Sequence, residues 1–274
     1  MPQSMGLRED PLFSMRDRVV VVTGGSGRLG SSFCKSLLSR GARVVAFDSA
    51  SPAKGLRSEE GAFFRFERVD VTDGGSIASA LADIERDWGV PHGLVNAAAI
   101  DAPPDAPTEE NGPFETYPTD SWDKVMSVNV KGVMLSCQVV GAGMAKAGRG
   151  AIVNIASIYG VVSPDQSLYD YRRKRGESFY KPVAYSTSKS ALLNLTRYLA
   201  TYWAKNGVRV NTLTPGGVFA GQDREFLDGY SARVPLGRMA RENEYDGALV
   251  FLLSDASSYM TGANLVVDGG WTAW

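Results

Sequence analysis

Along this chain, short runs of β-branched residues alternate with longer segments whose apolar positions recur at helical spacing. Val19-Val20-Val21-Val22 is apolar at every position, the pattern of a strand covered on both faces of a parallel sheet. A glycine-rich turn follows, then a helical stretch from Arg28 to Ser39 that stops at Gly41. The second strand, Arg43 to Phe47, ends at Asp48. Further strands are predicted over Phe63 to Val69, His92 to Asn96, Ala151 to Ala156, Val208 to Leu213 and Leu265 to Val267. Helices fall between them at Ser76 to Trp88, Asp120 to about Lys146, Tyr185 to Asn206 and Arg241 to Leu253. The helix from Asp120 is expected to open on a Thr119/Asp120 cap.

This alternation predicts an α/β fold, a doubly wound parallel sheet of about seven strands with helices on both faces. No linker, repeat or low-complexity run divides the 274 residues, so one Rossmann domain is expected over 1–274, with an extended head over 1–16. Two segments break the rhythm. Asp101 to Pro118 holds five prolines and five acidic residues and reads as a loop. Ser163 to Pro182 is irregular and carries Arg172-Arg173-Lys174-Arg175 with Tyr169, Tyr171 and Tyr180. Both follow strands, on the edge of the sheet where ligands bind in such folds. The basic run and the tyrosines suit a polar, anionic, hydroxylated ligand; a solvated loop or subunit contact explains them as well.

Composition narrows the function classes. Lys plus Arg is 29 against 30 Asp plus Glu, a balance that gives no global pull towards nucleic acid or an anionic membrane. No stretch approaches the ~20 apolar residues that span a bilayer. The head mixes Arg8, Glu9, Asp10 and Arg16 with few apolar residues, unlike a secretory signal. Cys34 and Cys137, the only cysteines, lie in apolar surroundings and read as free thiols in a reducing, cytoplasmic compartment.

Candidate chemistry begins at Thr23-Gly24-Gly25-Ser26-Gly27-Arg28-Leu29-Gly30, between the first strand and first helix. Glycines here let the backbone turn tightly and bring a pyrophosphate to the helix N-terminus. Asp48 lies 18 residues past Gly30, where a carboxylate accepts from ribose hydroxyls and repels a 2′-phosphate. NAD is therefore expected rather than NADP, with Arg28 as the contrary signal. Asp70 and Val71 end the third strand, where they could meet an adenine. Asn96, Ala97, Ala98 and Ala99 end the fourth with residues small enough to leave room for a cofactor.

With one histidine, His92, and no Cys/His cluster, a zinc site and a Ser–His–Asp triad lack their parts. Tyr185 and Lys189 stand four residues apart on one helix face. A tyrosine near pKa ~10 is a poor base at neutral pH, and an adjacent ammonium would stabilise its phenolate. Ser157, just past a strand, could hydrogen-bond a substrate oxygen.

Taken together, these segments resemble the short-chain dehydrogenase/reductase family in its compact single-domain branch. The resemblance runs from about Arg16 to Trp274. It rests on Thr23 to Gly30, Asp70, Asn96-Ala97-Ala98-Ala99, Asn129, Ser157, Tyr185-Ser186-Thr187-Ser188-Lys189, Pro215-Gly216 and Val266-Val267-Asp268-Gly269-Gly270. It implies an oxidoreductase that moves a hydride between a nicotinamide and a secondary alcohol or ketone, with a sugar or sugar acid among the candidate substrates. It also implies that Tyr185 is the general acid/base, Ser157 polarises the substrate oxygen and Asn129 holds a relay water. Lys189 would bind the nicotinamide ribose, Pro215, Gly216 and Val218 would border the nicotinamide, and the chain would form a homo-oligomer, dimer or tetramer.

The chain departs from the pattern at several points. Arg28 replaces a usual glycine, so the turn reads G-x-x-G-x-x-G, as in the extended branch. Ala97 and Ala99 replace an Asn and a Gly, and Ala220 stands where a threonine often contacts the cofactor. The 28-residue step from Ser157 to Tyr185 is longer than in most relatives. The insert and the Gly269 to Trp274 end resemble members linked to surface-polysaccharide and nonulosonic-acid biosynthesis. Two alternatives stay open: an NAD-retaining epimerase or dehydratase, and a non-catalytic nucleotide sensor. The chain stops soon after its seventh strand, which argues against the former, and the intact Ser157, Tyr185, Lys189 and Asn129 argue against the latter.

Overall fold

The computed structural model describes residues 10–53, 55–56, 61–101 and 108–274. Seven parallel strands form one sheet: β1 (Val19–Thr23), β2 (Arg43–Asp48), β3 (Phe64–Arg68), β4 (Gly93–Asn96), β5 (Gly150–Ile155), β6 (Val208–Pro215) and β7 (Asn264–Val267). Their order is β3-β2-β1-β4-β5-β6-β7, as expected of a doubly wound sheet. The order reverses between β1 and β4, and the crevice beyond their carboxyl ends is where such folds take ligands.

The valine run shows why this sheet must be covered on both faces. Val20 and Val22 pack in one core layer with Phe33 and Leu37 of helix α1 (Arg28–Leu38) and with Leu249 and Leu253 of the C-terminal helix. Val19 and Val21 point the other way, into a layer with Ile77 and Ile84 of α2 (Gly74–Trp88) and Leu192 of the long helix that follows β5. Successive strand side chains alternate in direction, so an unbroken apolar run needs two apolar layers.

The long helix predicted from Asp120 differs in two respects. It opens at Pro118 with no side-chain cap, because Thr119 and Asp120 already lie inside the first turn. It is also three segments in succession: α3 (Thr119–Met126), a π turn over Ser127–Lys131 and α4 (Gly132–Ala147). The span Thr119–Ala147 is long and apolar enough by composition to cross a membrane, which corrects the expectation that no segment would be. In the fold, Val133, Cys137, Val140 and Met144 of this span are core residues.

The remaining helices are α5 (Asp170–Lys174), α6 (Val183–Trp203), α7 (Arg224–Ser231) and α8 (Asp246–Leu253). The insert is therefore less irregular than its sequence suggests, holding a 3-10 turn at Gln166–Tyr169 and then α5. Within 101–118, Thr108–Asn111 and Phe114–Thr116 form 3-10 turns. Residues 102–107, and most of the head, lie outside the described residues. Cys34 and Cys137 are buried free thiols, and burial pushes both up to about 12. His92 is structural: its Nδ1 accepts the Val19 amide at 3.2 Å, and burial lowers its pKa to about 4.

A buried polar chain crosses the sheet. Asn96 Nδ2 donates to Asn154 Oδ1 at 2.8 Å, Asn154 Nδ2 donates to Thr196 Oγ1 at 2.9 Å, and Thr212 Oγ1 lies 2.8 Å from Thr196 Oγ1. Removing the middle link strands buried donors and acceptors and leaves a cavity. Asn154→Ala should therefore lower unfolding free energy by about 3 kcal/mol in denaturant titration. A loss within experimental error would show that the chain of bonds contributes nothing net.

Candidate active site

The phosphate turn is built so tightly that side chains have no room. A Cβ on Gly30 would lie 2.0 Å from the Gly24 carbonyl oxygen, and one on Gly24 (φ +66°) would lie 2.6 Å from the Ala98 backbone. Gly27 caps α1 without a side-chain hydrogen bond, so the first-turn amides are not covered by a side-chain cap. The buried Ser26 Oγ has no hydrogen-bond partner. A small-residue cradle, a helix N-terminus and a spare hydroxyl together fit the pyrophosphate of a dinucleotide.

From this turn a cleft of about 660 Å³ runs across the carboxyl ends of the strands. Gly24, Arg28, Leu29, Ala97, Pro215, Gly216 and Val218 line it as expected. At its far end Ser157, Tyr185 and Lys189 come together. Ser157 follows β5, its Oγ accepting the Tyr159 amide at 3.2 Å and hydrogen-bonding the Tyr185 hydroxyl. Tyr185 and Lys189 project from α6, with Lys189 Nζ 5.7 Å from the Tyr185 ring centroid and donating to the Ile155 carbonyl at 2.8 Å. Gly160 makes this approach possible, because a Cβ there would lie 2.8 Å from the Lys189 carbonyl.

Several residues expected at the cofactor also make contacts within the protein. Asn96 is buried in the polar chain, and its Nδ2 also reaches Cys137 Sγ at 3.2 Å. Ala98 donates its amide to Thr23 Oγ1 and packs against the phosphate turn. Asp70 Oδ1 accepts the Thr72 amide and hydroxyl, which hold its carboxyl below the usual range. Val71 packs on Gly132, and neither Asp70 nor Val71 borders the cleft. Asp48 sits at the end of β2 as predicted, one oxygen accepting the Ser26 amide and the other the Ala50 amide, each at 2.9 Å.

Asn129 lies in the π turn, fully buried. Its Oδ1 accepts the Ile100 amide at 2.8 Å, and its Nδ2 donates to the Ile100 carbonyl and to Ser188 Oγ. The side chain thus ties the loop after β4 to α6, and it is not among the residues that border the cleft. These bonds use the amide oxygen and both amide hydrogens of its side chain.

Burial governs the Tyr185 phenol in the protein without cofactor. Burial, then the nearby Asp101 carboxylate, pushes the phenol above its ordinary value. Burial also lowers Lys189 to about 8, so the ammonium is itself weakened as a counter-charge.

Sequence reading pointed to Tyr169, Tyr171 and Arg172 of the insert as ligand contacts but did not single out Phe179 or Lys181. Tyr169, Tyr171, Arg172, Phe179 and Lys181 of the insert, with Phe226 and Tyr230 of α7, line the cleft opposite the phosphate turn. Tyr169 packs on Phe179 and Phe226, and Tyr230 stacks on Trp271, so insert, α7 and C-terminus share a third apolar cluster. The three arginines of the basic run are held in ion pairs. Arg172 pairs with Glu177, Arg173 with Asp170 and Arg175 with Glu225. Lys181 is also brought into the cleft, paired with Asp101 and 4.8 Å from the Tyr185 ring centroid. No local motif marks it, since only the folded insert places it there.

A family model described as Enoyl-(Acyl carrier protein) reductase matches residues 27–272. Among solved structures, a short-chain dehydrogenase from Leptospira borgpetersenii with bound NAD+ is 32% identical, with a TM-score of 0.86 and 99% of each chain covered. The chain belongs to the short-chain dehydrogenase/reductase family. Another relative, the D-threitol dehydrogenase of Mycolicibacterium smegmatis, is 33% identical over 99% of both chains. A gluconate 5-dehydrogenase from Burkholderia cenocepacia in complex with NADP and tartrate is 27% identical, with a TM-score of 0.83, covering 96% of this chain and 98% of that one. The chain is thus an oxidoreductase of this family, and its neighbours carry either nicotinamide cofactor.

The buried Lys189 ammonium gives the fold a pH dependence of defined sign. Below about pH 8 the folded and unfolded chains both hold the proton, so the cost of burying it stands in full. Between about 8 and the ordinary value of 10.5 the unfolded chain binds more protons, so stability rises with pH. In cofactor-free protein, Lys189→Met should therefore be more stable than wild type at pH 7 by up to about 3 kcal/mol, the gap closing towards pH 10.5. Denaturant titrations across that range check it, and a gap independent of pH would contradict it.

Proposed function

We propose that this protein oxidises a secondary alcohol to a ketone with NAD, or runs the reverse reduction, on a small polyhydroxylated compound. The observation that carries this is the convergence of Ser157, Tyr185 and Lys189 at one end of a cleft whose other end is the phosphate turn. When bound, the nicotinamide supplies the two-electron acceptor, so alcohol and NAD+ give ketone, NADH and one proton. Tyr185 takes the hydroxyl proton as the alcohol is oxidised and returns it in reduction. Ser157, hydrogen-bonded to the Tyr185 hydroxyl, orients and polarises the substrate oxygen.

Lys189 holds the nicotinamide ribose, and the positive charge that accompanies the oxidised cofactor favours the phenolate that burial and Asp101 oppose. Asn129 serves as a positioning residue, fixing Ile100 and Ser188 about the site. Pro215, Gly216 and Val218 border the nicotinamide. Asp48 receives the adenosine ribose, with Asp70 and Val71 towards the adenine. Arg28, the contrary signal, bonds Glu242 at 3.0 Å and the Phe219 carbonyl at 3.4 Å, which supports NAD.

The narrower likeness to surface-polysaccharide and nonulosonic-acid members falls within the same class of hydroxylated compounds. The relatives named for threitol and gluconate support that class. We further propose that the chain acts as a single domain, in the cytoplasm, as a homo-oligomer. Exposed Met134 on α4, the stacked Tyr198 and Tyr202 on α6 and the edge strand β7 offer apolar surface for such contacts.

Tyr185→Phe tests the assignment. It removes the phenolic hydroxyl and keeps the ring, so turnover should fall at least about a thousandfold, as for loss of a general acid/base, while NADH binding followed by fluorescence stays within about twofold. Retention of more than a few per cent of activity would overturn the role. In the same assay, wild type should show higher kcat/KM with NAD than with NADP, and the reverse order would transfer the selection from Asp48 to Arg28.

A further inference from the structure

The substrate end of the cleft carries an unusual charge arrangement. Six charged side chains line the whole cleft: Arg28, Asp101, Arg172, Lys181, Lys189 and Asp223. Two of these belong to the cofactor side, Arg28 in its pair with Glu242 and Lys189 at the Ile155 carbonyl. Of the four facing the substrate, Arg172 is neutralised by Glu177 and lies over the Phe179 ring at 4.0 Å. Asp223 accepts the Tyr171 hydroxyl at 2.9 Å. The remaining two, Asp101 and Lys181, form an ion pair beside Tyr185.

That pair joins the two segments that break the strand–helix rhythm. Asp101 follows β4, and Lys181 closes the insert two residues before α6. The lysine side chain is 12% exposed and the aspartate 41%, so the carboxylate faces the opening and the ammonium lies deeper. A ligand reaching Tyr185 meets an acceptor and a donor side by side, with no net charge, between the aromatic walls of Tyr169, Phe179 and Phe226. Flat apolar walls suit the C–H faces of a hydroxylated chain, and a few placed polar groups fix its orientation. An anionic substrate would bring its carboxylate against Asp101, and like charges held close in a partly desolvated site repel strongly.

We infer that the Asp101–Lys181 pair makes this enzyme select a neutral polyol over the corresponding hydroxy acid, Asp101 accepting from and Lys181 donating to hydroxyls near the reacting carbinol. This rests on the reaction proposed above and names its substrate class. It also reverses the anionic ligand expected from the basic run, whose arginines are held in ion pairs by the fold.

Threitol and threonate, with the same carbon count, differ in the acid group, and calorimetric titration of each into NADH-loaded protein reads the selection without turnover. Wild type should bind threitol about tenfold or more tightly than threonate, and Asp101→Asn should shift the ratio towards threonate by at least about tenfold. Lys181→Met should leave threonate as the weaker ligand. Equal or tighter binding of threonate to wild type, or a ratio unchanged in Asp101→Asn, would overturn the inference. Because each ratio is taken within one protein, it is insensitive to any change in fold stability. A threitol preference without threitol-dependent NADH formation would leave charge selection standing and remove the proposed reaction instead.

Discussion

The site depends on one buried charge. Lys189 is 4% exposed, and its ammonium is held by the main-chain carbonyl of Ile155, at the end of β5. Burying a cation is costly, and here the cost appears as a pKa lowered to about 8. The bond to Ile155 registers α6 against β5, placing Tyr185, one turn earlier on the helix, beside Ser157, two residues beyond the strand. The rest of the active end follows from that register: Gly160 must be a glycine, and Ser190 Oγ bonds the Gly160 carbonyl at 2.9 Å.

The surrounding structure divides its polar groups between two tasks. Asn96, Asn154 and Thr196 link strands to α6 below the cleft, while Asn129 links the loop after β4 to the same helix. These bonds fix the floor on which the reacting groups stand, with Asn96 Oδ1 left without a hydrogen-bond partner. Above them, the insert and α7 share an aromatic cluster that forms one wall of the cleft. Asp101 connects the two levels, since it pairs with Lys181 of the insert and its charge raises both Tyr185 and Lys189.

Features written in local sequence were legible before the fold was known. The valine run of β1, the phosphate turn, Asp48 at the end of β2 and the four-residue spacing of Tyr185 and Lys189 each depend on near neighbours, and the structure places them as expected. Asn96 and Asn129 were harder because sequence does not say which way a small polar side chain points at the end of a strand or in a π turn. The Arg172 to Arg175 run looked like an anion site although Glu177 and Asp170 are near in sequence, because the partner of Arg175, Glu225, is 50 residues away. Lys181 was illegible for the same reason, its partner Asp101 lying 80 residues away.

The central claim is net hydride transfer from a carbinol carbon to the cofactor, with Tyr185 taking the proton. Its most direct test uses threitol deuterated at the carbinol carbons, with mass spectrometry of the released reduced cofactor. The account predicts one deuterium in each reduced cofactor for each ketone formed. Deuterium that stays in a rearranged polyol, or passes to water while added NAD remains oxidised, would contradict it.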